Sequence, residues 1–580
     1  MKPSILFGAF FLFGVVLPWS APRVEAEELT VNVADYGVFP DDDRNDAEGL
    51  REAVSYCREH PGCTLTLPGG RYEFRDEKAV EIMDNAMTGK YGNNPEPTLM
   101  SRTFPHVPGF DFTGVRNVTV NADGATILFD EWYQPVICDH TEGLVINGLT
   151  IDYKRAPYSV GKVIKVEQRC FEAQFDSRYP LNEGMPGFCV DFYDAQGDRR
   201  RGVTQYGAHM ELTAPDVLRI QGHFPASFVG DYCIVRHSAH GAAAIMARYA
   251  KDLRLKNISI HSHPGMGIIG HRCENITMEG VRIVPRAGEL QSTNTDATHF
   301  TSCTGTILFD GCQFEGQGDD STNIHSYYHT IKERISDTKC RTFVNWKTAL
   351  HALDHDYPEA GDILELVDTD TLAPIRQYKV VSREHDFNAS ETVVELDDNV
   401  PTDFEKYLLI NVSRFPSVRM INCNIRSHLA RGILIKKRNV LIEGCTIENT
   451  TGTGIHVGAE GGWYEGAPTA DLVIRRNRII HCGLGHGRQN DASAIALNIV
   501  AKDSTLPGLH KRVLIEGNQI IGLNAERGIY AGSVEDLTIR DNQFAGCKVP
   551  IYVEYSNAVN VRGNHGAAVT YGPGVKVVDE

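Results

Sequence analysis

The chain has 580 residues, 42% of them hydrophobic and 23% charged, an ordinary globular composition long enough for one large repetitive fold or several compact domains. Its formal charge of −18 at pH 7 argues against nucleic acid or an anionic membrane surface as partner, because both reward clustered lysine and arginine. A neutral substrate fits that balance better.

The first 26 residues, MKPSILFGAFFLFGVVLPWSAPRVEA, combine Lys2, an apolar run from Ile5 to Leu17, a proline break and small residues at a cleavage position. This predicts a signal peptide over 1–26, export, and a mature chain starting near Glu27. The apolar run is too short to span a bilayer comfortably, so no membrane insertion is expected. Fourteen cysteines are too few at this length for a dense disulfide framework.

Next comes NDAEGLREAVSYC, in which Leu50, Ala53, Val54 and Cys57 fall on one helical stripe behind Asp46, a candidate N-cap. Strand-forming TLTLPGGRYEF follows. The remaining chain repeats one pattern, seen in EGLVINGLTI (142–151), KDLRLKNISI (251–260), ENITMEGVRI (274–283), SVRMINCNI (417–425), NVLIEGCTI (439–447) and RVLIEGNQI (512–520). Aligned on the final apolar residue, the copies put Leu149, Ile258, Val281, Cys312, Cys423, Cys445, Asn477, Asn518, Asn542 and Asn564 in register, with neighbours 22 to 24 residues apart where no loop intervenes.

That period, with short alternating strands and Gly or Asn turns, predicts an all-β chain built as a right-handed parallel β-helix, one coil per repeat. The register residues then point inward at a turn, the cysteines as small apolar groups and the asparagines as a ladder of amides. The N-terminal helix caps the open edge of the first coil.

Two stretches lack the repeat and read as antiparallel strands: GKVIKVEQ and GDYCIVRH in the first, and GDILELVD, YKVVSRE and TVVELDD in the second. The expected organisation is a cap with the first coils over 27–151, an inserted β-barrel-like domain over 152–245, coils over 246–325, a second such insertion over 326–412, and further coils over 413–580. Both insertions leave the coil close to the motifs that follow, which suggests that they wall a cleft.

Glycoside hydrolysis needs one carboxylic acid to protonate the leaving oxygen and one carboxylate to activate water or attack the sugar. QSTNTDATHF places Asp296 ahead of Asp319 by 23 residues and of Asp320 by 24, one coil length, so the three can share a face of neighbouring coils. Their mutual repulsion would raise at least one pKa and keep a proton in place near neutral pH. An isolated Gly-Asp-Asp is usually a turn; the one-coil spacing to Asp296 is what points to chemistry.

The pair NTD and GDD on a β-helix resembles the polygalacturonases, glycoside hydrolase family 28. Across nearly the whole mature chain, VADYGVFPDD, STNTDATHF, EGQGDDSTNIH, LARGILI and VGAEGGWYEGAP resemble more closely glycoside hydrolase family 110, bacterial α-1,3-galactosidases that remove terminal galactose from blood-group-B-type glycans. The resemblance implies an exo-acting, inverting enzyme without a cofactor, with Asp319 as general acid and Asp296 and Asp320 positioning and deprotonating water. It also implies a bacterial periplasmic or secreted location, an α-galactosyl glycan as partner, and a homodimer. Inversion calls for acid and base about 6.5–9.5 Å apart. In SHLARGILIKK, Arg431 stands near the place where polygalacturonases carry Arg-x-Lys for a galacturonate carboxylate, but without that spacing, which favours a neutral sugar.

Candidate sugar-binding residues are Glu460, Trp463 and Glu465 in a glycine-rich loop, an aromatic face flanked by hydroxyl acceptors, together with Arg431, His299, His325 and Asn294 beside the motifs. His261, His263 and His271 sit among turn glycines, and no metal is expected. Another inverting β-helix glycosidase of polygalacturonase type, a non-catalytic β-helix glycan-binding protein, and a calcium-dependent lyase are the alternative readings.

Overall fold

The computed structural model describes residues 29–101, 103–345, 355–483, 493–522 and 527–578; the signal-peptide segment lies outside them. Each repeat folds into one coil of three short strands. In one coil these are Lys251–Lys256, Ser259–Ile260 and Ile268–His271, and in the next Glu274–Glu279, Arg282–Ile283 and Thr298–Thr301. Equivalent strands pair in parallel, Leu253 with Ile276, Ser259 with Arg282, and Ile268 with Thr298, so the chain is a parallel β-helix with one sheet on each of three faces. Alternation drives the pattern: Leu253 and Leu255 are buried while Arg254 between them is exposed.

The turn between the first and second strands explains the repeat's residue choice. The position before each register residue is left-handed in all ten copies, from φ 51° at Asn257 to 83° at Gly148, and nine of the ten are Gly, Asn or Asp. Arg476 is the exception. Behind it the asparagines stack: Asn477 Nδ2 donates to Asn518 Oδ1 at 3.0 Å, Asn518 to Asn542 at 2.9 Å, and Asn542 to Asn564 at 2.9 Å. Each Oδ1 also accepts the backbone N–H of the preceding rung, and the ladder runs on into the cysteines, where Cys445 N–H donates to Asn477 Oδ1 at 2.9 Å.

At the N-terminus, α1 (Ala47–Glu59) buries Leu50, Ala53, Val54 and Cys57 on the first coil. Asp46 stands at its N-cap without capping it. Its Oδ2 instead accepts the Glu73 N–H at 2.9 Å, stitching helix to strand, and burial pushes its pKa up to about 6. Two further helices follow, α2 (Glu77–Met87), capped by Asp76 onto Lys78 N–H, and α3 (Glu96–Leu99). Among the described residues no helix is long and apolar enough to cross a membrane.

The first aperiodic stretch is a seven-stranded antiparallel sheet between Tyr158 and Arg236, with Arg199–Tyr206 at one edge and Met210–Ala214 at the other. Side chains from its strands, among them Phe171, Phe175, Phe192, Leu218, Ile220 and Val235, converge on one core. The second is a closed six-stranded barrel: Thr322–Arg334 pairs with Lys339–Val344, and pairing continues through Glu391–Leu396, Pro374–Asp386, Ile363–Asp368 and Tyr407–Asn411 back to the first strand. Thr322–Arg334 belongs to both bodies, its start pairing in parallel with Thr298–Thr301 and Ile433–Ile435 in the β-helix. The barrel is thus continuous with the strand that Asp319 and Asp320 lead into.

Two opposite effects test this turn. Asn518→Ala removes the shared rung of two buried amides and lowers unfolding free energy by roughly 1–3 kcal/mol. Arg476→Gly relieves a left-handed side chain and raises it by about 1 kcal/mol. Denaturant titration of the two variants checks both signs.

Candidate active site

Coil stacking aligns the candidate residues. Thr298, Thr322 and Ile433 pair across three successive coils, and Asp296, Asp320 and Arg431 each lie two residues ahead of them. Backbone bonds carry the alignment into the loops: Ala297 N–H donates to the Asp320 carbonyl and Ser321 N–H to the Arg431 carbonyl, both at 3.1 Å. Asp319 is one residue off this column, so the doublet presents its two carboxylates differently. Asp296 and Asp320 are buried and Asp319 is half-buried. One oxygen from each of the three lies within 4.8 Å of the others.

Arg431 decides their charges. It gives Asp320 three bonds, from its backbone N–H (2.7 Å) and Nε (2.9 Å) to Oδ1 and from Nη2 (2.8 Å) to Oδ2. Burial works against ionising Asp320, but Arg431 overcomes it and holds the carboxyl below its usual range. Burial, then the Asp319 and Asp320 charges, push Asp296 well above that range; burial and Asp320 push Asp319 up as well. The environment therefore favours Asp320 as the anion and favours the protonated form of Asp296 and Asp319, which titrate together.

Asp296 Oδ2 is 2.8 Å from His299 Nδ1, and His299 Nε2 is 2.8 Å from His325 Nε2, so the two imidazoles share a hydrogen. Burial lowers His299 to about 4, which makes its contact with Asp296 a neutral hydrogen bond rather than an ion pair. His325 lies 3.7 Å from Glu465. Glu465 is ion-paired with Lys436, Lys436 Nζ is 2.7 Å from Glu460, and Glu460 is 3.0 Å from Arg431. A buried circuit of polar contacts thus runs from Asp296 to Asp320.

The network takes in most of the candidate binding residues. Glu460 and Glu465, only 5% and 6% exposed, are counter-ions of the fully buried Lys436. Lys436 and Arg431 hold Glu460 ionised against the cost of burial. His299 and His325 are buried behind the carboxylates. Asn294 is also buried, its Nδ2 donating to the Pro157 carbonyl and Ser238 and its Oδ1 accepting from Gln291. Trp463, 56% exposed on a short 3-10 turn between the two glutamates, remains accessible. His261 and His263 bond locally, to the Val284 carbonyl and from the Gly265 N–H, and His271 meets Thr301.

Three positions carried no usable signal. Lys436 follows the apolar ILI strand, where the sequence alone does not tell a buried lysine from one reaching solvent. His240 pairs with Glu96 of α3 at 3.1 Å; burial alone would lower it, but Glu96, with Asp296 and Asp319 beyond, lifts it to about 9 and makes it a cation beside the cluster. Arg236, at the end of an inserted strand, reaches the backbone of both motif loops.

The profile of a family described as Glycosyl hydrolases family 28 matches residues 226–342, the stretch holding all three aspartates, and one described as Right handed beta helix region matches 408–566. The chain is 25% identical to Alpha-1,3-galactosidase A of Shewanella woodyi over 93% of this chain and 91% of that protein. It is 25% identical to the protein of the same name from Bacteroides fragilis over 92% and 89%, and 24% identical to Alpha-1,3-galactosidase B of Bacteroides thetaiotaomicron over 78% and 75%. These matches support a glycoside hydrolase. Among solved structures it is similar to the Agl-KA catalytic domain, at 10% identity and TM-score 0.43 over 95% of this chain and 68% of that one. It is also similar to an exopolygalacturonase from Thermotoga maritima, at 12% identity and TM-score 0.41 over 93% and 92%.

Lys436 is the test of the interior of this glycosidase. Lys436→Met strands two buried carboxylates and lowers stability by about 3–5 kcal/mol, whereas exposed Trp463→Ala changes it by roughly 0.5 kcal/mol or less. Equilibrium unfolding of both variants checks the contrast.

Proposed function

We propose that the chain is an exo-acting α-1,3-galactosidase that removes terminal α-1,3-linked galactose from blood group B glycans and from linear α-galactosyl glycans, exported to the periplasm or exterior of a bacterium. The observation that carries this reading is the carboxylate cluster itself: Asp296, Asp319 and Asp320 each bring an oxygen within 4.8 Å of the others, with Arg431 bonded to Asp320. Its similarity in sequence to proteins named alpha-1,3-galactosidase supports the substrate. The signal-like N-terminus supports export, and a homodimer is the expected assembly.

In this mechanism Asp319, the most accessible of the three, protonates the glycosidic oxygen. Asp296, ionised when Asp319 holds the proton and backed by His299, accepts a proton from water while the Asp320 anion orients it. Galactose would leave as the β-anomer. The close approach of the carboxylates favours a second reading: oxygens within 4.8 Å are nearer than the 6.5–9.5 Å expected for inversion, and nearer to the roughly 5–5.5 Å of retaining pairs. A covalent galactosyl intermediate on Asp296 would then give α-galactose first. Proton NMR of the first-formed anomer from matched linear and fucosylated substrates separates the two.

Asp319→Asn removes the acid, and kcat for a glycan substrate falls by about 10²–10⁴. With an aryl galactoside, whose leaving group needs little protonation, the loss is much smaller. Wild-type activity runs on the alkaline side up to the raised pKa of the Asp296–Asp319 pair and is lost above it as the shared proton leaves. Equal losses on both substrates, or an alkaline limb unchanged in Asp320→Asn, would contradict the assignment.

A further inference from the structure

We propose that Arg236 is a positioning residue that fixes the separation of the two carboxylate-bearing loops, and that the inserted antiparallel sheet serves to carry it there. This rests on the reading of Asp296 and Asp319 as the reacting pair.

Arg236 ends the inserted strand Tyr232–Arg236 and is 1% exposed. Its Nη1 donates to two carbonyls at once, Asn294 at 2.6 Å and Gly318 at 2.7 Å. Those carbonyls stand two residues before Asp296 and one before Asp319, on neighbouring coils. A single nitrogen therefore ties together the two loops whose carboxylates must face one substrate. The backbone links the loops on either side of it, Gly318 N–H donating to the Thr293 carbonyl at 3.1 Å, Ser292 N–H to the Gly316 carbonyl at 2.9 Å and Ala297 N–H to the Asp320 carbonyl at 3.1 Å, and Arg236 joins the carbonyls between.

The other side of the guanidinium is anchored in the insertion. Nε lies 3.1 Å from Asp191 Oδ2, and Nη2 meets Cys189 Sγ at 2.7 Å. Asp191 is itself fully buried, held by Arg199 Nη2 at 2.7 Å and Thr204 Oγ1 at 2.9 Å. Arg199 adds a third contact to the loops, from Nη1 to the Gln317 carbonyl at 3.4 Å. Arg199 and Arg236 thus share the one buried Asp191 within the insertion while the other edge of each guanidinium grips the coils that carry the aspartates.

Gly318 shows how close the fit is. A Cβ there would strike the Asn294 carbonyl oxygen and sit 2.5 Å from Arg236 Nη1, so any side chain would push the loops apart. The charge of Arg236 also reaches Asp319, favouring its ionised form. One side chain outside the β-helix therefore holds both loops and, after burial, Asp320, Arg431 and His240, also acts on the proton affinity of Asp319. The repeat period cannot reveal it, because the residue lies in the stretch where the repeat is absent.

Two substitutions separate the geometric role from the electrostatic one. Arg236→Lys keeps the cation but cannot reach both carbonyls and Asp191 together; Arg236→Gln loses charge and fork. On an α-1,3-galactoside we expect kcat per folded molecule to fall about a hundredfold in both, the scale of a misplacement of ~1 Å, with KM changed less than about threefold. The infrared band of the protonated carboxyl, followed against pH, should keep its midpoint in Arg236→Lys and move to higher pH in Arg236→Gln. Gly318→Ala, which leaves Arg236 intact, should lose kcat similarly and serves where an Arg236 variant does not fold. A purely structural role would lower melting temperature without moving kcat per folded molecule or the band. Wild type that releases galactose from no α-galactoside would sink the proposed activity, and the infrared comparison would still decide the role of Arg236. Values of kcat within threefold of wild type in Arg236→Lys and Gly318→Ala, or an unmoved band in Arg236→Gln, would overturn the inference.

Discussion

The three bonds from Arg431 to Asp320 are the constraint on which the site depends. A carboxylate buried among two others would ordinarily take up a proton, but with its backbone N–H and both edges of its guanidinium Arg431 makes ionisation the cheaper state for Asp320. The repulsion that Asp320 then exerts keeps a proton between Asp296 and Asp319. Coil stacking brings these residues together: Asp296, Asp320 and Arg431 occupy one position on successive rungs, although Arg431 is more than a hundred residues away along the chain.

Beside this column a buried polar network covers the face of the strands opposite the apolar core, which takes Phe300, Ile324, Ile433 and Ile435. His299 and His325 link Asp296 to Glu465, and Lys436 joins Glu465 and Glu460 to Arg431. Each buried charge has an opposite neighbour, which is the condition for such a network to be tolerated. The circuit also explains why the barrel is inserted where it is. Its strand Thr322–Arg334 begins in the β-helix, carries Asn323 and His325 into the circuit, and pairs at Tyr327 with Glu465. The seven-stranded sheet approaches the same loops from the other side through Arg236 and Arg199.

How much of this the sequence revealed follows from which forces leave a periodic trace. The β-helix was legible because each coil needs a left-handed turn residue and an inward-facing partner behind it, a demand met ten times from Gly148–Leu149 to Gly563–Asn564 and at 22 to 24 residues where no loop intervenes. Asp296, Asp319 and Asp320 were legible for the same reason, being one coil apart. Glu460 and Glu465 were visible as residues, but their pairing with Lys436 was not, since that lysine is buried by tertiary packing that a strand pattern does not encode. Asp46 likewise had the composition of a cap but found a stronger partner in the Glu73 N–H. Arg236, His240 and Glu96 come from aperiodic segments and meet only in three dimensions, where no spacing rule applies.

The central claim is that Arg431 fixes Asp320 as the anion and so leaves one proton on the Asp296–Asp319 pair at neutral pH. Carbon NMR of the aspartate side-chain carboxyls, titrated in the wild-type protein and in Asp320→Asn, measures this directly. The account predicts one carboxyl in the wild type that still carries its proton near pH 7, and whose titration drops toward the ordinary value of about 4 when the Asp320 charge is removed. Three carboxyls all titrating near that ordinary value in the wild type, or a raised one unaffected by the substitution, would contradict it.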